Sequence, residues 1–110
     1  MRKIKKYSLA IIDLIKEYEY SGTKINAVVS TDTLHHHYIV FKNGWYDTNS
    51  YILRFTLYFH IKPDGKVWIL ANATEDDVAE ALVKRGVAKS DIVLGFLPES
   101  VRPYSDYAAA

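Results

Sequence analysis

Three consecutive histidines, His35, His36 and His37, are the most chemically suggestive residues in this 110-residue sequence. On a β-strand, His35 and His37 share a face, and neutral imidazole is a common zinc ligand. A tetrahedral site needs at least one more donor, for which His60 and Asp32 are the candidates. No second spaced ligand motif accompanies the run, so it reads as exposed polar residues at a strand edge beside a turn, a place for adventitious nickel or zinc. Hydrolytic chemistry has less support. There is no G-x-S-x-G elbow and no spaced Ser/His/Asp set. Glu75, Asp76 and Asp77 sit where helix-capping carboxylates belong rather than where an acid/base pair would. The five glycines fall at turns and helix ends, and none forms a phosphate loop. No catalytic, cofactor-binding or metal-binding residue is assigned, no cofactor is expected, and the chain reads as a non-enzyme.

Residues suited to binding are more plentiful. Nine tyrosines, four phenylalanines and two tryptophans form a rich aromatic set. Phe55, Phe59 and Trp68 are expected in the core, whereas Tyr46, Tyr51 and Tyr58 are harder to place inside a small domain. A strand face carrying Ile52, Arg54, Tyr58 and His60 reads as a dimer or partner-docking surface, since aromatics with a polar tip favour interfaces. Singly scattered surface aromatics are the competing reading. Arg2, Lys3, Lys5 and Lys6 cluster at the start, where the helix dipole disfavours positive charge by about 0.3–1 kcal/mol per residue. Helix stability therefore does not explain them. They either contact phosphates or belong to a solvated helix start.

The elements that position these residues follow from periodicity. Ile4, Tyr7, Ile11, Leu14, Ile15 and Tyr18 recur at helical spacing, predicting an amphipathic helix over the first twenty residues that ends at Ser21-Gly22. Ile25, Ala27 and Val29 then alternate with polar residues, and Tyr38 to Phe41 is a short β-prone run. Asn43-Gly44 is expected as a turn or bulge. The clearest strand places Leu53, Phe55, Leu57, Phe59 and Ile61 on one face. Pro63-Asp64-Gly65 predicts a hairpin turn into Lys66–Leu70. A second helix is expected from a Thr74 cap to a Gly86 stop, with Val78, Ala79, Leu82 and Val83 buried. Ser90-Asp91 is expected to cap a short helical turn through Ile92, Val93 and Leu94, and Pro98 and Pro103 an extended tail. The expected fold is α+β: an N-terminal helix, a four-stranded antiparallel meander, a C-terminal helix, a short helical turn and a tail, with helices on one sheet face.

Length and composition frame that fold. Residues 1–110 suffice for one domain with a real core. Hydrophobic residues are 49% and charged residues 25%, as in ordinary globular chains. The absence of cysteine excludes disulfides, thiolate metal ligation and cysteine nucleophiles, and fits a cytoplasmic location. No secretory signal or membrane span is expected, because Asp13, Lys16 and Glu17 interrupt the first apolar stretch. The formal net charge is +1, so no overall electrostatic case exists for nucleic acid. The positive excess is local to the N-terminus.

The last third carries a resemblance. Gly65-Lys66-Val67-Trp68-Ile69, Thr74-Glu75, the segment Gly86 to Phe96 (GVAKSDIVLGF) and Arg102-Pro103-Tyr104-Ser105-Asp106-Tyr107-Ala108 resemble the XisI family. Its members typically show G-K-x-W-I, T-E, G-V-P-K-x-D-I-V-L-x-F and R-x-[YF]-[TS]-[ED]-[YF]-A. Tyr7, Ile11-Ile12 and Gly44-Trp45 also look like the family. Ala88 stands where proline is usual, Leu97 where histidine is common, Ile39 where glutamine is frequent, and Pro63 looks inserted. The resemblance implies a regulatory accessory protein, an fdxN element excision controlling factor of cyanobacterial type. Such a factor acts with a companion called XisH, while a separate site-specific recombinase performs the DNA recombination. It implies an XisH-like partner, with the recombinase as a further contact; separately, the aromatic strand face leads to the expectation of a homo-oligomer, a dimer in particular. Direct DNA binding through Arg2, Lys3, Lys5 and Lys6 is the alternative. Arg54, Tyr58, His60, Arg102, Tyr104 and Tyr107 are the candidate partner-binding residues. Tyr104 and Tyr107 resemble anchors of an ordered tail, with Arg102 expected to pair with an acid or a carbonyl of the body.

Overall fold

The computed structural model describes residues 2–110. The first helix, α1 (Arg2–Ile15), buries Tyr7, Ile11, Leu14 and Ile15 along the expected stripe. A 3₁₀ turn, Lys16–Tyr18, closes it. The helix therefore stops before Ser21-Gly22. Tyr20–Ser21 instead forms a short strand, β1, whose backbone gains partners in Ala27 and Asn26.

Five further strands complete one sheet: β2 (Ile25–Asp32), β3 (His37–Trp45), β4 (Tyr51–Ile61), β5 (Val67–Asn72) and β6 (Ile92–Leu94). Their spatial order is the order of the chain. The expected four-stranded antiparallel meander is thus corrected to a six-stranded mixed sheet, because β6 lies parallel to β5. The helical turn expected over Ile92–Leu94 is that strand. These branched aliphatics suit a pleated, buried surface, and Ile92 and Val93 are fully buried against the edge of β5. The helical geometry shifts upstream to a 3₁₀ turn, Lys89–Asp91.

The second helix, α2 (Val78–Lys84), begins later than expected. Asp77 is its cap, accepting from the Glu80 N–H at 3.0 Å. Thr74 orders the preceding turn instead, accepting from the Asp76 N–H and donating to Asn72. Gly86, at φ +97°, ends the helix as the sequence predicts. Both helices contribute to one hydrophobic cluster with Tyr38, Val40, Leu57, Phe59, Ile61, Val67 and Ile69 of the sheet. Arg85, the residue that caps the C-terminus of α2, ties the helices together through Asp13 (3.1 Å) of α1 and Glu17 (2.7 Å) of its 3₁₀ turn.

Two local features reshape the middle of the sheet. Asn43-Gly44 lies inside β3 rather than in a turn, and the true connection is Tyr46–Ser50, closed by the Tyr46 N–H on the Ser50 carbonyl at 2.8 Å. Gly44 is needed for close approach: at φ +150°, a Cβ there would meet the Lys24 carbonyl oxygen at 2.0 Å. The second feature is a bulge. Val40 pairs with Leu57 but Phe41 pairs with Phe55, leaving Thr56 as an extra residue of β4. Leu57, Phe59 and Ile61 point to the helices, whereas Tyr51, Leu53 and Phe55 are reversed to the opposite face. The single face expected for Leu53 through Ile61 is split at that point.

The tail is turned rather than extended. It passes through a 3₁₀ turn, Arg102–Tyr104, and returns so that the Ala108 N–H donates to the Ile92 carbonyl at 2.8 Å. No helix among the described residues is long and apolar enough to cross a membrane.

Candidate partner interface

One sheet face is covered by the helices; the other carries a band of aromatic and aliphatic side chains. β3 supplies His37, Ile39, Phe41 and Trp45, and β4 supplies Tyr51, Leu53, Phe55, Tyr58 and His60. Register makes them neighbours: Phe41 faces Phe55, Ile39 faces Tyr58, and Trp45 faces Tyr51 with rings 4.9 Å apart. Phe55 also meets the Tyr58 ring edge-on at 5.8 Å. Leu53 is 64% exposed and Phe55 53%, so this is apolar surface held in water. Phe41, Leu53, Arg54 and Phe55 border a hollow of about 490 Å³. The bulge at Thr56 creates the band, by turning the first half of β4 outward.

The same bulge separates the candidate binding face predicted from sequence. Arg54 pairs with Lys42 on the helix side of the sheet, away from Tyr58 and His60, and Ile52 goes with it. Tyr58 and His60 do share the outer face. The Tyr58 hydroxyl is 2.8 Å from His37 Nδ1, and the His37 and His60 rings stack at 4.1 Å, tilted by 6°. His60 Nδ1 donates to the His36 carbonyl at 3.0 Å, which fixes its proton on that nitrogen. Burial, then the neighbouring His60, lowers the His37 pKa, since a stacked pair of imidazoliums repels.

The histidine run is dispersed by its turn. His35 lies at the exposed tip rather than on a strand face with His37, and its Nδ1 is 3.0 Å from Asp32 Oδ2. His36 adopts φ +62° and turns its Nδ1 to the Tyr38 hydroxyl at 2.9 Å, on the helix side. Among the described residues no three His, Cys, Asp or Glu side chains are grouped to hold a metal ion.

The tail candidates divide. The Arg102 guanidinium lies over the Trp68 ring at 4.9 Å, while its Nε donates to the Leu97 carbonyl at 3.1 Å. Lys62 covers the same ring at 3.7 Å. Trp68 is accordingly half-buried on the outer face instead of lying in the core. Tyr107 packs against the hydrophobic cluster, and burial raises its pKa. Tyr104, expected as an anchor, is 89% exposed and anchors nothing within the chain. At the N-terminus Lys3 is paired with Asp91 at 3.0 Å, while Arg2, Lys5 and Lys6 line a hollow with Leu9, Ala10, Asp13 and Arg85. The structure does not bring the basic cluster and the aromatic band together.

Sequence reasoning missed Ile39, Phe41, Leu53 and Phe55 as surface residues. Tyr51, Leu53 and Phe55 continue the odd-numbered series of Leu57, Phe59 and Ile61 without a break, so no local signal marks the reversal.

The class of protein that these features define is structural: a helix-on-sheet α+β domain with one aromatic sheet face left uncovered. Comparison with known proteins finds the same fold. The family model described as XisI protein matches residues 1–109, and the chain belongs to the XisI family. The crystal structure of a XisI-like protein from Anabaena variabilis ATCC 29413 matches with a TM-score of 0.89 at 34% identity, over 97% of this chain and 99% of that one. That of the fdxN element excision controlling factor XisI from the same organism gives a TM-score of 0.85 at 26% identity, over 98% and 99%. No curated protein matches.

Proposed function

We propose that this chain is a non-catalytic accessory factor that controls excision of a DNA element by a separate site-specific recombinase. It acts in the cytoplasm through protein contacts with an XisH-like companion, and the outer aromatic band is the contact surface. The observation that carries this reading is the exposed apolar pair Leu53 and Phe55, continuous across the sheet with the partly buried Phe41 and Tyr58. Such surface is unfavourable in water, at roughly 25 cal/mol per Å², and aromatic side chains dominate binding energy at interfaces. Family membership supports the direction, since a solved relative is named as an excision controlling factor.

Titration calorimetry of the purified chain with an XisH-like protein tests it. Phe41 sits at the middle of the band, and Phe41→Asp is expected to weaken binding about 30-fold or more, the scale of an aromatic hot spot. An unaltered affinity would remove the band from the interface.

A second reading, direct DNA contact, rests on Arg2, Lys5 and Lys6, which line one hollow with Arg85 and supply the positive charge that phosphates require. It predicts retardation of DNA by the chain alone, with affinity falling linearly against log salt and lost when those three residues become alanine. Retardation that survives the substitutions would exclude this surface.

A further inference from the structure

Among the described residues the two longest stretches of strand edge without a partner strand lie on β2 and β4. β2 past Ala27 is open on the side of β1, and the exposed part of that stretch is polar, with Ser30 and Thr31. The other is the first half of β4. Its pairing with β5 begins at Leu57, and the Ala73 N–H closes the gap onto the Thr56 carbonyl at 2.8 Å. From Tyr51 to Phe55, β4 is bonded to β3 on one side, and on the other no backbone partner exists among the described residues. The sequence of that edge is Tyr51-Ile52-Leu53-Arg54-Phe55, a strongly β-prone run. It has no proline and no lysine to discourage pairing, and Arg54 is its one charge. Edges of this kind are templates for another strand.

We infer that the Tyr51–Phe55 edge of β4 pairs antiparallel with the same edge of a second copy, across a two-fold axis at Leu53, to give a continuous sheet through a homodimer. A strand that pairs antiparallel with itself satisfies the isologous symmetry of a dimer. The register follows from charge and length. An axis at Leu53 uses all five open residues, opposing Tyr51 to Phe55 of the second copy and Leu53 to its equivalent. These side chains share the outer face, so aromatic and aliphatic neighbours meet across the junction. Arg54 falls opposite Ile52 of the second copy. An axis at Arg54 would oppose two guanidiniums, and one at Ile52 would leave part of the edge unpaired. The partner favoured here is the chain itself, because the edge is self-complementary only in that register. A contact of five residues per copy is small beside the roughly 800 Å² per partner of a standard interface, so the dimer dissociates on dilution.

The chain has no cysteine, which permits a register-specific test. Leu53 and Leu34 are both exposed, at 64% and 79%, and lie at different places on the molecule. Leu53→Cys and Leu34→Cys are prepared, checked for folding by circular dichroism, and oxidised gently at about 100 μM, a concentration at which micromolar complexes are populated. Opposed residues of an antiparallel pair have Cα atoms about 4.5–5.5 Å apart, within disulfide range. The expected result is a covalent dimer of Leu53→Cys forming at least about tenfold faster than that of Leu34→Cys, a difference of 1.4 kcal/mol in barrier. Sedimentation of the cysteine-free protein should show reversible dimer, and Leu53→Asp, which opposes two carboxylates at the axis, should remain monomeric. Equal crosslinking rates, a wild-type monomer at that concentration, or a dimer that persists in Leu53→Asp each overturn the inference.

Discussion

Replacing Tyr7 by phenylalanine removes one oxygen from the contact that fastens α1 to the segment entering β6. Tyr7 is 5% exposed, and its hydroxyl donates to Asp91 Oδ2 at 2.6 Å and accepts from the Ala88 N–H at 3.3 Å. Asp91 is held on its other oxygen by Lys3 at 3.0 Å. A hydrogen bond to a charged acceptor contributes about 1.5–3 kcal/mol. The Asp91 side chain is 16% exposed, so water replaces part of what is lost. The expected cost of Tyr7→Phe is therefore about 2 kcal/mol, equivalent to a fall in Tm of roughly 8–15 °C for a domain near 100 residues. Chemical denaturation read by tryptophan fluorescence measures it. The cost also has a pH signature. Burial acts to raise the Asp91 pKa, but the hydrogen bonds from Tyr7 and Lys3 and the Lys3 charge outweigh it, leaving a net lowering. The folded carboxyl thus ionises at lower pH than the unfolded one. Its contribution is complete above the ordinary aspartate range and is lost as pH falls through the folded value. The difference between wild type and Tyr7→Phe should shrink on acidification below about pH 4. A cost below about 0.5 kcal/mol, or one unchanged between pH 7 and pH 3, would refute the reasoning.

Three further outcomes follow from the same structure. Gly44→Ala combines positive φ with a Cβ driven onto the Lys24 carbonyl, so a loss of more than about 2 kcal/mol is expected in denaturant titration. The lowered His37 pKa means the unfolded chain takes up a proton first as pH falls from about 6.5, so stability declines there; His60→Asn should flatten that slope between about pH 5 and 7. Deleting residues 98–110 removes Tyr107 from the core, Ala108 from Ile92 and Arg102 from Trp68, and should lower the Tm measurably; an unchanged Tm would show that these contacts contribute nothing.

Much of this fold was legible because single elements solved a single problem. The α1 stripe had one way to be buried, and Gly65 and Gly86 stand where the backbone takes positive φ. What was illegible came from competition between elements. Ile92–Leu94 suits a helical turn or a strand equally, and the open edge of β5 decides for strand. Thr74 and Asp77 are both good caps, and Asp77 prevails where the chain enters the hydrophobic cluster. The reversal at Thr56 is the most consequential case. An apolar residue at each odd position of β4 satisfies both faces, so the pattern is silent about which half is buried. Tyr58 and His60 were correctly read as neighbours on one face because no bulge separates them along β3. Arg54 was grouped with them only because the extra residue at Thr56 could not be seen.

The central claim is that β4 reverses at Thr56 and so presents an apolar band to a partner. Methyl cross-saturation from an XisH-like protein onto the labelled chain measures it most directly. Signal loss at Ile39 and Leu53, with Leu9 on α1 unaffected, is the predicted result. Loss at Leu9 with Ile39 and Leu53 untouched would contradict it.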